Sequence, residues 1–574
     1  EGKIKQKGKL SPIDLAAGDS TQIQIPYDLP SRSRADHWLN LSFRLNKATS
    51  WAVKGHEVAF VQYQLPVKLL PLTAHNPGNG LLEIENEGDI ITAQGTNFRL
   101  AFDVFTGRMT DYFYNDEQII KRGPLFNVWR APTDNDKQLV KYWRTEGIDS
   151  LEQVTMHYQI NETDKYLKIV FYTLQQGPSK ALKIEVKYTY TIYPNGEVDM
   201  QVHYNPSNEL SLLAKVGLQM EVEKAFDQFA WYGAGPHENY PDRIISAMKD
   251  VYKMPVNDLH EPYIKPQDNA NRSNIYWASV SNGKQGMLVR GNELLHTSAY
   301  YFTDRQMETT THRHLLKKQE FFTWNIDQKV SGLGTAACGY SCWPEHQVNA
   351  APGSFSIRLS PFKGLSDPFQ IYNQKGPENL AGCMLSPIIK SEADAINEPI
   401  KIYLEAESNT EVYYTIDTLA AFENWKKYEG PITLSDEAEI FALAKKGEDF
   451  SFIGSRKYKK SIVRSLKLKE QPDKGKDILW LFDKEKAVPG DRSSNWVTFT
   501  GKDFEADIQL AQPRSIKNIG LRFMADWYWN GIFPRDVVME VSRDGKNYKK
   551  VMDEYINPDE KVMYNEVKTL KAPV

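Results

Sequence analysis

Cysteine is nearly absent: the 574 residues contain only Cys338, Cys342 and Cys383. Three thiols are too few for a disulfide framework, so free buried thiols are expected, with a single bridge as the alternative. No apolar run reaches 18 residues, which excludes a membrane-spanning helix. An excess of one charge is also missing. The formal net charge is −4, so there is no basic footprint for nucleic acid. The opening Glu1-Gly2-Lys3-Ile4-Lys5 has no apolar h-region and does not read as a signal peptide. No repeat of βαβ units runs along the chain, which argues against a parallel barrel or a doubly wound sheet. Metal-ligand spacing is scarce as well. Cys338, Cys342 and His346 recur every four residues, but the glycine-rich stretch before Pro344 is not helical, and structural zinc wants four ligands.

What is abundant is aromatic residues, 12% of the chain with 13 Trp and 30 Tyr. Such side chains suit the pleated, half-buried surfaces of β-sandwich cores. They also suit sugar platforms, because an aromatic face packs on the apolar face of a pyranose. Composition does not choose between the two. The length calls for several domains, since single cores stop growing near about 250–300 residues. Alternation of apolar and polar residues dominates, as in Gln22–Ile25, Lys183–Tyr190 and Met539–Ser542. A half-buried strand needs that period of two. Turn signals such as Pro194-Asn195-Gly196 and Asp544-Gly545 separate the runs. One helix is expected, from about Lys137 to Thr145.

Two long stretches carry most of the information. The first is Phe126-Asn127-Val128-Trp129-Arg130-Ala131-Pro132-Thr133-Asp134-Asn135-Asp136. The second is Trp231-Tyr232-Gly233-Ala234-Gly235-Pro236-His237-Glu238-Asn239-Tyr240-Pro241-Asp242-Arg243. In this order they resemble the two hallmarks of the C-terminal small-chain β-sandwich of glycoside hydrolase family 2 β-galactosidases. The resemblance implies a large antiparallel supersandwich, similar in fold to galactose mutarotase, over residues 82–362. It also implies that the family's two catalytic glutamates sit on a preceding (β/α)8 barrel. No stretch of this chain resembles the Asn-Glu or Glu-Tyr strand ends of that barrel, so no catalytic residue is assigned here.

Smaller modules flank the large one. Residues 1–66 resemble the end of the family's immunoglobulin-like domain between barrel and small chain, and residues 67–81 read as linker. Such a sandwich needs about seven strands; only some fit, so an exposed edge and a half-filled core are expected unless covered. After a second linker at 363–383, residues 384–466 resemble the fibronectin-like C-terminal domain of chitobiases. There Ile416-Asp417-Thr418 departs from the usual Thr-Asp-Gly turn. Residues 470–574 resemble a discoidin-type jelly roll, on Leu481-Phe482-Asp483, Ser494-Asn495-Trp496, Phe504–Leu510 and Val541–Tyr548.

Candidate site residues follow from these stretches. Retaining glycosidases need two carboxyl groups roughly 5–5.5 Å apart, but the acidic residues of the signatures have structural readings. Asp134 and Asp136 flank Asn135 in a turn after Pro132, where carboxylates and amides accept backbone N–H bonds. The alternative is that this loop faces the barrel and helps hold an active-site wall. Arg130 and Asn239 belong to the same structural set. The His237-Glu238 pair invites an acid/base reading, as a mutarotase would use. Neighbours in a strand point to opposite faces, however, which favours pinning of the turn. Asp242-Arg243 reads as a charge pair or as a clamp on nearby backbone.

The stretch Gly332–Gly339 resembles the family's late loop, which reaches into the active site of the complete enzyme. Some members place a sugar-stacking tryptophan where this chain has Gly339. Trp343, four residues on, either substitutes for it or packs in the sandwich. His312 and His314 match another family loop and read as structural. In the discoidin-like part, Trp496, Trp527, Tyr528 and Trp529 are the candidates for sugar contact, and Asp483 and Asp491 for calcium. The rival is a module that only packs on the enzyme body.

The expectation is therefore an all-β chain: a supersandwich flanked by Ig/fibronectin-like sandwiches and a discoidin-like jelly roll. Its implied role is the non-catalytic C-terminal portion of a retaining β-galactosidase, completing the active-site wall, with accessory carbohydrate binding. The alternatives are a glycan-binding or adhesion fragment and a mutarotase-like epimerase. Expected partners are a β-galactoside or other glycan, the catalytic barrel and a second copy of the chain. The appended modules suggest a periplasmic location by analogy.

Overall fold

The computed structural model describes residues 2–13, 15–137, 139–145, 147–177, 183–206, 212–335, 342–364, 368–378, 384–392, 396, 398–416, 424–447, 449–460, 462–473, 478–481, 496–510, 512–525, 533–557 and 566–573. Strands dominate, as the alternation predicts. In Lys183–Ile192 the inward set Ile184, Val186, Tyr188, Tyr190 and Ile192 is fully buried. Burial of each such side chain stabilises by about 1.5–3 kcal/mol. The same pattern, repeated strand after strand, builds two nine-stranded sheets.

The first sheet runs in space through Glu152–Glu162, Leu167–Gln176, Lys183–Ile192, Val198–Pro206, Gly353–Lys363, Gln285–Gly291, Trp277–Ser281, Gln228–Gly235 and Met248–Pro255. The second runs through Arg272–Ile275, Leu295–Tyr300, Phe321–Val330, Lys215–Glu223, Glu117–Asn127, Arg108–Tyr114, Phe98–Asp103, Ile90–Gly95 and Glu83–Glu87. Neighbouring strands are antiparallel throughout. One continuous core lies between them, holding Trp231, Trp324, Tyr112 and Tyr300 at 0–1% exposure. An antiparallel supersandwich is thus the observed architecture. The expected helix is present as a 3-10 turn, Asp134–Lys137, followed by an α-helix, Leu139–Thr145.

One expected strand is wrong. Among the described residues Gln22–Ile25 pairs with no other segment, and Ile23 lies 44% exposed. Alternation makes a strand only where a neighbouring strand accepts its backbone hydrogen bonds.

The N-terminal part contributes a single hairpin, Trp38–Arg44 against Glu57–Gln64. One of its faces docks on the first sheet. The Trp38 indole N–H donates to the Tyr232 hydroxyl (3.1 Å), and the Gln62 amide bonds the Lys249 backbone at both its N–H and its carbonyl (2.7 and 2.9 Å). The opposite face pairs Leu39 with Tyr63, Leu41 with Val61 and Phe43 with Ala59. It is apolar and open, with Phe43 and Tyr63 exposed.

The segments entering and leaving the supersandwich meet on its outer face. Thr73 N–H donates to the Asn373 carbonyl and Lys375 N–H to the Thr73 carbonyl (3.0 and 2.8 Å). Buried Arg290 donates to the carbonyls of Tyr372 and Gln374 (2.7 and 2.6 Å), and Arg358 to that of Lys375 (3.1 Å).

Farther along, three strands (Ile388–Ser391, Ile400–Glu405, Ile432–Leu434) face a second sheet built on Glu411–Ile416 and Ala438–Lys446. Ile402, Ile440, Ala442 and Tyr458 fill the space between. The last part pairs Val463–Leu468 with Ala506–Leu510, Asn518–Ala525 with Glu566–Pro573, and Asp536–Ser542 with Tyr548–Tyr555. It has its own small core around Val537, Met539 and Met552.

Candidate functional site

The first signature leaves the strand Glu117–Asn127 at its end. The Asn127 side chain bonds the N–H and carbonyl of Trp129 and turns the chain there. Arg130, 0% exposed, then meets Asp136 as a fork: Nε and Nη2 donate to the two carboxylate oxygens at 3.1 and 2.9 Å. Asp136 also accepts the Thr133 N–H (2.9 Å), closing the turn between them. Burial opposes the Arg130 charge, but Asp136 overcomes it and raises the guanidinium pKa. The remaining Arg130 protons go to the carbonyls of Ser331 and Gly332 (2.8 and 3.2 Å). Asn135 donates to the Leu333 carbonyl (2.7 Å). Asp134 is exposed and lies 3.8 Å from Lys137, a surface pair of small consequence.

The second signature reaches the same segment from the other side. The Asp242 carboxylate accepts the N–H groups of Leu333 and Gly334 (3.0 and 2.8 Å) and the Thr335 hydroxyl (3.1 Å). Burial would raise this carboxyl, but those donors outweigh it and hold it below its ordinary range. Asp242 and Arg243 do not pair with each other; Arg243 turns away to Glu238. Glu238 is buried and also accepts the Tyr263 hydroxyl and the Ala270 N–H, both at 2.7 Å. His237 is exposed and bonds Ser246 (2.8 Å). The two residues thus serve separate partners. Asn239, 0% exposed, accepts Ser273 N–H and donates to the His237 carbonyl.

Residues 331–335 are therefore clasped from both sides: by Arg130 and Asn135, and by Asp242. Gly332 is what lets Asp242 in, since a Cβ there would lie 2.6 Å from the Asp242 carboxyl carbon. The chain returns at Cys342, which is buried and donates through sulfur to the His346 carbonyl (3.3 Å). Gly332 N–H donates to the same carbonyl (2.8 Å). Between these anchors Trp343 stands 53% exposed, while its neighbour Cys342 lines a small pocket with Arg130, Asn135, Trp143 and Leu333. The tryptophan does not pack into the sandwich core.

Sequence reasoning missed two buried polar pairs of the large domain. Tyr240 donates to Asp268 (2.7 Å), whose burial pushes its carboxyl up to about 7. Lys215, 2% exposed, bonds Asn325 (3.0 Å) and pairs with Asp327 (3.5 Å). His312 and His314 lie exposed, 5.7 Å apart. In the last module Trp496 is half-buried beneath the Arg522 guanidinium, 5.7 Å from its ring. Trp527, Tyr528, Trp529, Asp483 and Asp491 lie outside the described residues.

Residues 94–359 match the family described as Beta galactosidase small chain, and residues 1–66 match Beta-galactosidase, domain 4. Residues 94–359 are a β-galactosidase small-chain region. A β-galactosidase of Priestia megaterium is 28% identical over 58% of this chain, and one of Pectobacterium atrosepticum 28% over 58%. Those alignments cover 32% and 33% of the relatives, so the chain spans about a third of their length. Among solved structures, a galactose 1-epimerase from Lactobacillus acidophilus NCFM aligns over all of its own chain and 50% of this one. Its TM-score of 0.31 and 8% identity are too low to build on. Among the described residues, no helix is long and apolar enough to cross a membrane.

Proposed function

We propose that this polypeptide is the bracing, C-terminal portion of a retaining β-galactosidase whose nucleophile and acid/base lie on a catalytic barrel elsewhere in the enzyme. The observation that carries this reading is the clasp. Three of the four signature carboxylates of the small-chain region are spent on structure: Asp136 on Arg130, Glu238 on Tyr263 and Ala270, Asp242 on the Leu333 and Gly334 amides. A nucleophile or proton donor needs a free face toward substrate, and those three have none. The fourth, Asp134, is exposed and, among the described residues, has Lys137 at 3.8 Å beside it rather than an acidic partner. What the clasp fixes is residues 331–335, and Gly332 in turn bonds the His346 carbonyl close to exposed Trp343. The open apolar face of the N-terminal hairpin is the second support, because a half-sandwich needs an opposing layer.

In this reading Trp343 completes the wall of the galactoside site. Trp527 and Trp529 contact a glycan, with Asp483 and Asp491 holding calcium nearby, and the enzyme works in the periplasm. The purified chain should not hydrolyse a chromogenic β-galactoside. Co-expression with a barrel-bearing half should restore turnover, and Trp343→Ala in that complex should raise KM about tenfold while changing kcat less. Turnover by the isolated chain, free of contaminating enzyme, would refute the proposal.

A further inference from the structure

The small sandwich of residues 388–458 is seated on the outer face of the first sheet rather than hanging from it. Trp425, Leu443 and Phe450 of the small sandwich bury Val170 and Tyr172 of the strand Leu167–Gln176. The Phe450 N–H donates to the Tyr172 hydroxyl (3.2 Å). Beneath this contact the register lines up four strands in a row: His157 opposite Tyr172, Tyr172 opposite Lys187, and Lys187 opposite His203. The His157 ring stacks on Tyr172 (5.7 Å) and lies 5.2 Å from the Phe450 ring. Lys187, 8% exposed, places its ammonium 5.1 Å from the Tyr172 ring.

We propose that this His157–Tyr172–Lys187–His203 row makes the seat of the small sandwich acid-labile. Lys187 already carries one positive charge there, and no carboxylate among the described residues forms an ion pair with it. Glu185, two residues away on the same face, bonds Asn205 (2.8 Å), and burial pushes its carboxyl up to about 7. It is largely neutral before the histidines charge. On the opposing side Lys445 adds a cation 5.3 Å from the Phe450 ring, and the Glu411–Lys427 pair at the margin is exposed and self-neutralising. Protonating His157 within the contact, and His203 beside Lys187 on the neighbouring strand, would thus set like charges side by side. Burial holds both rings near 4, with Lys187 adding to the effect on His203.

The sign follows from linkage. A histidine depressed in the closed state leaves the seat intact above about pH 6.5 and weakens it as pH falls toward 4. Each pH unit costs roughly tenfold per histidine, so His157 alone supplies on the order of 300-fold by pH 4.

Small-angle scattering on the full chain from pH 8 to 4 tests this, with near-ultraviolet circular dichroism reporting on the buried Trp231 and Trp324. The wild type should keep one radius of gyration down to about pH 6, then expand while its dichroism holds. The double variant His157→Gln/His203→Gln should stay compact to pH 4.5. Phe450→Ala should be expanded at every pH. A wild type that never expands, a double variant that expands alongside it, a compact Phe450→Ala, or expansion only together with loss of the dichroism would each overturn the proposal.

Discussion

Replacing Arg130 with methionine is the sharpest test of the clasp, because the shape is nearly kept while every polar contact goes. Arg130 is fully buried and makes two bonds to Asp136 and one each to the Ser331 and Gly332 carbonyls. The variant strands the Asp136 carboxylate at 4% exposure with only the Thr133 N–H left to it. Breaking a buried pair from one side costs about 3–5 kcal/mol, and each carbonyl left dry adds about 1 kcal/mol. Against a domain stability of about 5–15 kcal/mol that is a large fraction. Urea unfolding of the full chain, followed by hydrogen exchange in the supersandwich strands, should show those amides losing protection by that amount. Arg130→Lys, which keeps the charge without the fork, should fall between. Arg130→Met/Asp136→Leu should recover at least about 2 kcal/mol of the loss, since removing both partners leaves no orphan charge. An Arg130→Met protein within about 1 kcal/mol of wild type would refute the reasoning.

Three further outcomes follow from the same contacts. Gly332→Ala should push Asp242 off the 333–334 amides, raising hydrogen exchange at Leu333 and Gly334 while the sandwich core stays protected. Asp268 sits near 7 when folded against an ordinary 3.8, so its contribution is fully present below about pH 4 and is lost as pH rises to 7. At about 1.4 kcal/mol per pH unit, wild type should lose roughly 4 kcal/mol across that range through this group. Asp268→Asn should flatten the slope, read as urea midpoints at pH 5 and 7.5. Ile184→Ala should cost about 2–5 kcal/mol and leave the seat of the small sandwich in place, read by the same unfolding experiment and by scattering.

Much of the fold is legible locally. Alternation in Lys183–Ile192 predicts which side chains face inward, because the period of a strand is a property of adjacent residues. Gln22–Ile25 shows the limit of that rule: the pattern is present, but no partner strand stands beside it among the described residues. The signatures point to the right place but not to their contacts. Arg130 and Asp136 are six residues apart and their pairing can be guessed, whereas Asp242 grips amides more than ninety positions away. Tyr263 on Glu238, Asp268 on Tyr240 and Lys215 on Asp327 carry no local signal at all. They become neighbours only when strands distant in sequence are laid side by side, which is register information that a single chain does not advertise.

The stitched entry and exit of the large domain have an architectural consequence. Thr73 and Gln374 stand side by side, so the polypeptide comes in and goes out at one corner. A unit with adjacent ends is interchangeable: it can be spliced into or out of a longer protein by cutting two neighbouring threads. Extra domains could then accumulate downstream over evolution without disturbing whatever the opposite rim of the sandwich is needed for.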